Sequence, residues 1–124
     1  MAKEGLTNEE EELIDRLIKA GIQKNTARTL VFVASQDEAK SREIEDATEL
    51  RQPEVSISIQ ELRDHGWVSR RKIKKEGRGR PVHGYQLDKP MDEIIKEIEE
   101  KERERIAEIE ENLEEIKELV GSCL

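Results

Sequence analysis

The chain has 124 residues, of which 42% are charged, 34% apolar and 2% aromatic, and its formal net charge is −8. So little apolar material excludes a large internal cavity, and no apolar run approaches the roughly 18–20 residues of a membrane span. One cysteine excludes an intramolecular disulfide and a cysteine-based zinc site, and no secretory signal is visible, so we expect a cytoplasmic protein with one domain and an appendage.

The first 35 residues predict two helices. Thr7 and Glu10 have the capping-box spacing at the start of the first helix, and Gly21 is the expected residue just past its end. The second helix is expected at about 24–35. Its apolar residues recur every three or four positions, which predicts a buried and central helix: Ala27, Leu30, Val31 and Ala34.

Two further helices are predicted after a turn at residues 36–39. Ser41 is the expected N-cap of a short helix over 42–48. Pro53 suits the first position of a fourth helix, because that position needs no amide proton, and Gly66 is expected to end it.

The fourth helix has two distinct faces. Val55, Ile59 and Leu62 share one face, which we expect to be buried. Ile57 points away from that face, so it is predicted to be exposed.

The pattern then changes to alternation, which predicts two strands at 67–75 and 82–87. We expect Tyr85 and Leu87 to face inward, with Ile73 as their partner across the hairpin. The expected fold class is therefore mainly α with a small β-hairpin (α+β).

A long helix is predicted after Pro90, over about 90–120. Its apolar residues follow a heptad-like seam with one four-residue insertion near Glu102: Ile95, Ile98, Ile106, Ile109, Leu113, Ile116 and Val120. A coiled-coil dimerisation arm covers such a seam, as does folding back on the domain, and the parallel or antiparallel direction of pairing is left open. The alternative is a solvated or disordered acidic tail.

The charge is unevenly distributed along the chain. Residues 1–61 carry a net −6, residues 62–84 a net +6, and residues 85–124 a net −8. Because salt screens charges beyond roughly 8–10 Å, the local basic block matters more than the total.

The chain resembles the winged helix-turn-helix of prokaryotic transcription regulators in three segments and the hairpin that follows them. The segments are 41–44 (SREI), 50–56 (LRQPEVS) and 62–68 (LRDHGWV), and the hairpin ends at 85–87. The resemblance is to the ArsR, MarR and TrmB-like groups, in particular small archaeal members. It implies a DNA-binding domain over residues 6–88, a homodimer, and double-stranded DNA as the partner.

The resemblance implies that a recognition helix at about 52–65 enters the major groove. The residues expected to contact DNA there are Arg51, Gln52, Pro53, Glu54, Ser56, Ile57, Gln60 and Arg63. Ser58 is a further neutral hydrogen-bonding group of this helix. Glutamine pairs with adenine, Ile57 suits a thymine methyl group, and the Glu54 carboxylate can accept from cytosine N4.

A basic wing at about 70–82 is expected to enter the minor groove. Its predicted DNA-binding residues are Arg70, Arg71, Lys72, Lys74, Lys75, Arg78, Gly79 and Arg80. Residues 78–81 (RGRP) resemble the core of an AT-hook, which favours the narrow minor groove of A·T-rich DNA.

Other function classes are weakly supported. No metal or other cofactor is predicted, because Cys123 is the only cysteine and His65 and His83 are interpreted as helix-end and wing residues. No P-loop or H-E-x-x-H motif indicates an enzyme, and the scarcity of aromatic residues disfavours an RNA-stacking surface. Trp67 is interpreted as a packing residue.

The main alternative function is a protein-interaction module in a transcription or RNA-processing assembly, which the acidic helix favours. The sequence identifies neither an operator nor a small-molecule effector.

Overall fold

The computed structural model describes residues 5–73 and 82–124. The helices of these ranges are α1 (Asn8–Lys19), α2 (Lys24–Ala34), α3 (Ser41–Thr48), α4 (Gln52–Asp64) and α5 (Met91–Cys123). The strands are β1 (Ala39–Lys40), β2 (Val68–Ile73) and β3 (Val82–Leu87). The fold is mainly helical with a small antiparallel sheet, as the sequence predicts.

The start and end of α1 follow local sequence signals. The Thr7 amide donates to Glu10 Oε1 at 2.8 Å, and the Glu10 amide donates to Thr7 Oγ1 at 3.2 Å. Gly21 has a φ of 97°, a left-handed conformation that glycine adopts without steric cost. The predicted capping box and helix stop are both confirmed.

Helix α2 is the centre of the core. It contacts α1, α3, α4 and β3. Leu30, Phe32 and Val33 have no exposed surface, which confirms the prediction of a central, buried helix.

Arg28 ties α2 to two neighbouring elements. Its Nη1 lies 2.9 Å from Glu11 Oε2 on α1, and its Nε donates at 3.2 Å to the carbonyl of Thr48 at the end of α3. These bonds satisfy a terminal helix carbonyl and connect α2 to both α1 and α3.

The region between α2 and α3 differs from the prediction. Ala39, which was expected in a turn, lies in β1, and α3 begins at Ser41 with Lys40 as its N-cap residue. Instead of a Ser41 hydroxyl, Glu43 Oε1 accepts from the Lys40 amide at 2.8 Å. The strand forms because Ala39 and Lys40 pair with Tyr85 and Gly84 of β3.

The connection from α3 to α4 is short and passes through Glu49, which has a left-handed conformation with a φ of 60°. Helix α4 begins at Gln52, so Pro53 occupies its second position rather than the predicted first. Gly66 follows the helix with a φ of 77°, as expected of a residue that ends it.

The sheet has the strand order β1-β3-β2, which leaves β2 at an edge. Its register corrects the predicted contact across the hairpin: Ile73 pairs with Val82, whereas Tyr85 pairs with Arg70. Tyr85 is buried as predicted, but Leu87 is only half-buried.

The chain divides into two compact units between Met91 and Asp92. The second unit is α5, a helix of 33 residues. Within the described ranges, every helix is too short or too polar to span a membrane.

Leu62 and Ile57 on α4 give a matched test of this packing. Leu62→Ala is expected to lower the free energy of unfolding by about 2–5 kcal/mol, because Leu62 is fully buried. Ile57→Ala is expected to change it by less than about 0.5 kcal/mol, because Ile57 is 62% exposed. Urea denaturation followed by circular dichroism measures both, and equal losses would contradict this assignment of faces.

Candidate nucleic-acid interface

Helix α4 presents one polar face to solvent. Gln52, Pro53, Ser56, Ile57 and Gln60 are exposed. The opposite face packs into the core through Val55, Ile59 and Leu62, as predicted. The structure therefore brings the predicted reading residues together on one side of one helix.

Ser58 does not belong to this face. It is 1% exposed, so its predicted role as an outward hydrogen-bonding group is wrong. Ser58 lies three residues after Val55 and four before Leu62, and this spacing places it on the buried side.

Both glutamines of the exposed face are held along the helix. Gln52 Nε2 donates to Ser56 Oγ at 2.9 Å, and Gln60 Nε2 donates to Asp64 Oδ1 at 2.8 Å. Each bond uses one amide proton, so each side chain keeps an oxygen and a second N–H for another partner. These hydrogen bonds therefore restrict the orientation of the two glutamine side chains that a partner of this face would contact.

Two of the three carboxylates on or beside this face, Glu54 and Glu61, are engaged by groups outside it, whereas Asp64 is exposed. Glu54 Oε1 accepts from the Arg51 amide at 3.0 Å, and Glu54 Oε2 accepts from Asn25 Nδ2 at 3.3 Å. Glu61 Oε2 accepts a hydrogen bond from the Thr26 hydroxyl. The geometry therefore gives Glu54 a role in capping and positioning α4, where the sequence suggested contact with a base.

Sequence reasoning missed Asn25 and Thr26. They lie at the start of α2, 29 and 35 residues before their partners, and no local pattern links positions so far apart. Thr26 is 4% exposed, so this bond is part of the packed contact between α2 and α4.

Cationic side chains border the exposed face of α4 and continue along β2. Arg51 is exposed before α4, and Arg63 is half-buried in its last turn. Arg70, Arg71 and Lys72 are exposed on the edge strand β2. The remaining predicted wing residues lie outside the described residues: Lys74, Lys75, Arg78, Gly79 and Arg80.

Trp67 and the two histidines have surroundings that indicate roles in the fold. Trp67 is 3% exposed, which confirms its interpretation as a packing residue, and its ring stacks on His65 at a centroid distance of 4.2 Å. His65 is the residue that caps the end of α4, and His83 is half-buried in β3. In residues 5–73 and 82–124, no three His, Cys, Asp or Glu side chains are placed to hold a metal ion.

The apolar seam predicted on α5 is unevenly exposed. Ile98 is only 7% exposed and the neighbouring Ile94 is fully buried, so these positions have little surface left for another chain. The other predicted seam residues are 40–53% exposed: Ile95, Ile106, Ile109, Leu113, Ile116 and Val120. Leu119, which the predicted seam leaves out, is 60% exposed beside it.

A sequence model of the MarR family matches residues 20–79. This stretch covers α2 to α4 and β2, which include the whole exposed face of α4. No curated protein matches the chain.

Solved structures of transcription regulators have a similar fold. A possible transcriptional regulator from Methanosarcina mazei aligns over 82% of this chain and 87% of its own, with a TM-score of 0.61 and 17% identity. The multiple antibiotic resistance repressor MarR aligns over 94% and 87%, with a TM-score of 0.52 and 15% identity. NadR, in complex with 4-hydroxyphenylacetate, aligns over 90% and 80%, with a TM-score of 0.53 and 23% identity.

The matched segment and the fold agree with the winged helix-turn-helix that the sequence resembles, within its MarR branch; the ArsR, TrmB and archaeal parts of that resemblance stay predictions. MarR-family proteins are transcription regulators, not enzymes. Residues 20–79 of this protein therefore match the model of the MarR family, and the fold is similar to that of solved transcription regulators.

Proposed function

We propose that this protein is a homodimeric transcription regulator that binds specific sequences in double-stranded DNA. In this proposal α4 enters the major groove and the β2–β3 hairpin lies over the minor groove. The observation that carries it is the exposed, hydrogen-bonding face of α4, beside which Glu54 and Glu61 are engaged by α2 and by the helix's own N-cap, while Asp64 accepts from Gln60.

The chemistry of this face suits base edges in the major groove. Gln52 and Gln60 each retain a donor and an acceptor, the pair of groups with which glutamine contacts adenine N7 and N6. Ile57 is 62% exposed between them and offers an apolar contact to a thymine methyl group. These three side chains favour sites that contain A·T pairs.

Cations on both sides of this face are suited to phosphates. Arg51 and Arg63 lie at the two ends of α4, and Arg70, Arg71 and Lys72 extend the positive surface along β2. Contacts of this kind orient a protein on the duplex without reading its sequence. We also propose an A·T-selective contact at the predicted wing tip, residues 78–81. This part of the proposal is based only on the sequence.

A second copy is the proposed partner of the exposed seam on α5. A lone helix leaves its apolar stripe in water, and association of two chains removes that stripe from water. Two recognition helices also match the two half-sites of a palindromic operator. We propose a cytoplasmic location because DNA is the partner.

Gln60→Ala tests base recognition by α4. Affinity for a duplex selected from a random pool by the unmodified protein should fall about 5- to 150-fold, because a bidentate base contact contributes about 1–3 kcal/mol of discrimination. Affinity for a scrambled duplex should stay constant. Gln36→Ala, at a half-buried glutamine outside α4, is the control. Fluorescence anisotropy measures both, and equal loss on the two duplexes would contradict a reading role.

A triple variant tests whether β2 binds phosphates. It combines Arg70→Ala, Arg71→Ala and Lys72→Ala. The slope of log affinity against log salt should become less steep by about 0.9 for each phosphate that these side chains neutralise in the unmodified protein. Lys96→Ala, Lys101→Ala and Lys117→Ala remove the same charge from α5 and should leave the slope unchanged. A similar change in both triple variants would mean that net charge, not this strand, determines the slope.

Arg78→Ala with Arg80→Ala tests the proposed minor-groove contact. The preference for A·T-rich over G·C-rich duplex should fall several-fold, because arginine is drawn to the enhanced negative potential of a narrow minor groove. Lys74→Ala with Lys75→Ala removes the same charge and should weaken binding to both duplexes equally. An unchanged A·T preference in the arginine variant would exclude this contact.

A further inference from the structure

The exposed stripe of α5 continues to the end of the helix. Ile106, Ile109, Leu113, Ile116 and Val120 are each about half exposed and are spaced 3-4-3-4 along the chain. These are the a and d positions of a coiled-coil seam, with Ile106, Leu113 and Val120 at a. A further step of three residues places Cys123, which is exposed, at the next d position.

The charges of α5 are sorted around this seam. In this register six of the seven glutamates between residues 103 and 124 lie at the outer b, c and f positions. The three cations of this segment, Arg103, Arg105 and Lys117, all lie at the flanking e and g positions. The acidic charge is therefore directed away from the seam, so a second helix of the same sequence can approach it.

Glu110 is the one acidic residue that flanks the seam, and it has no ion pair within the described residues of its own chain. In a parallel, in-register pair, a g residue faces the e residue five positions later on the second helix. Arg105 then faces Glu110 of the second copy, and the same contact occurs twice by symmetry. Within its own chain, Arg105 has an i,i+3 ion pair with Glu102 at 3.8 Å, which is longer than the Arg103–Glu99 pair at 2.7 Å.

The charges allow either direction, because antiparallel pairing sets Glu110 opposite Lys117 of the second copy, whereas two leucines discriminate between the directions. Leu119 is 60% exposed and Leu124 is 99% exposed. Parallel pairing sets Leu119, at g, opposite Leu124, at e, of the second copy. Antiparallel pairing sets Leu119 opposite Asn112 and Leu124 opposite Arg103, which leaves both leucines against polar groups.

We propose that α5 pairs in parallel and in register with a second copy of itself over residues 105–124. This pairing covers the stripe and both flanking leucines, and it forms two Arg105–Glu110 contacts between chains. It rests on the proposed homodimer and adds its direction and register. It also places Cys123 opposite Cys123 of the second copy.

Oxidative cross-linking of the full-length protein tests the direction of pairing. Diamide takes two electrons and two protons from a pair of thiols as their sulfur atoms join, provided that the two Cα atoms are about 4.4–6.8 Å apart. Native Cys123 and the variant Ile106→Cys/Cys123→Ser should each give a covalent dimer on a non-reducing gel. Glu111→Cys/Cys123→Ser carries its thiol at an outer position and should react about tenfold more slowly.

Antiparallel pairing predicts the opposite result. Cys123 would face Ile106 of the second copy, so only Ile106→Cys with Cys123 retained would cross-link, which would overturn the proposal. Sedimentation of the unmodified protein measures whether it is a dimer, and so distinguishes a wrong direction of pairing from a wrong proposal of a homodimer. A dimer that fails to cross-link through Cys123 contradicts only the parallel register, whereas a monomer contradicts the homodimer as well.

Discussion

The packing of α4 against α2 determines which side chains this domain leaves free for a partner. Burial of one apolar face of α4 turns Gln52, Ile57 and Gln60 toward solvent. Hydrogen bonds from Asn25 and Thr26 connect α2 to α4 and engage the carboxylates of Glu54 and Glu61. Rotated about its axis, α4 would present those carboxylates to a phosphate backbone, and like charges would oppose the approach of DNA.

This arrangement explains how a protein with a net charge of −8 is suited to a polyanion. Positive charge is concentrated in residues 62–84, while the acidic residues lie in two blocks that total −14. Between residues 103 and 124, most of the glutamates lie on the outer side of α5. In the proposed interaction, the positive block of residues 62–84, which includes β2, attracts the duplex, while the two acidic blocks repel it.

The sequence predicted features that depend on neighbouring residues. The capping box of Thr7, the helix stop at Gly66 and the burial of Leu62 follow from local spacing, and all three are confirmed. Strand β1 was missed because its two residues form a strand only by pairing with β3, some 45 residues later. The engagement of Glu54 by Asn25 depends on the packing of separate helices, which no local pattern records.

The most direct test of the central claim places a cleavage reagent on the exposed face of α4. An iron–EDTA group attached to Ile57→Cys/Cys123→Ser should cut both strands of a bound duplex within a few base pairs of each half-site. The same group attached to Glu111→Cys/Cys123→Ser, on the acidic side of α5, should leave the duplex intact. Cleavage from position 111 without cleavage from position 57 would contradict the account, because DNA would then lie against α5 and not against α4.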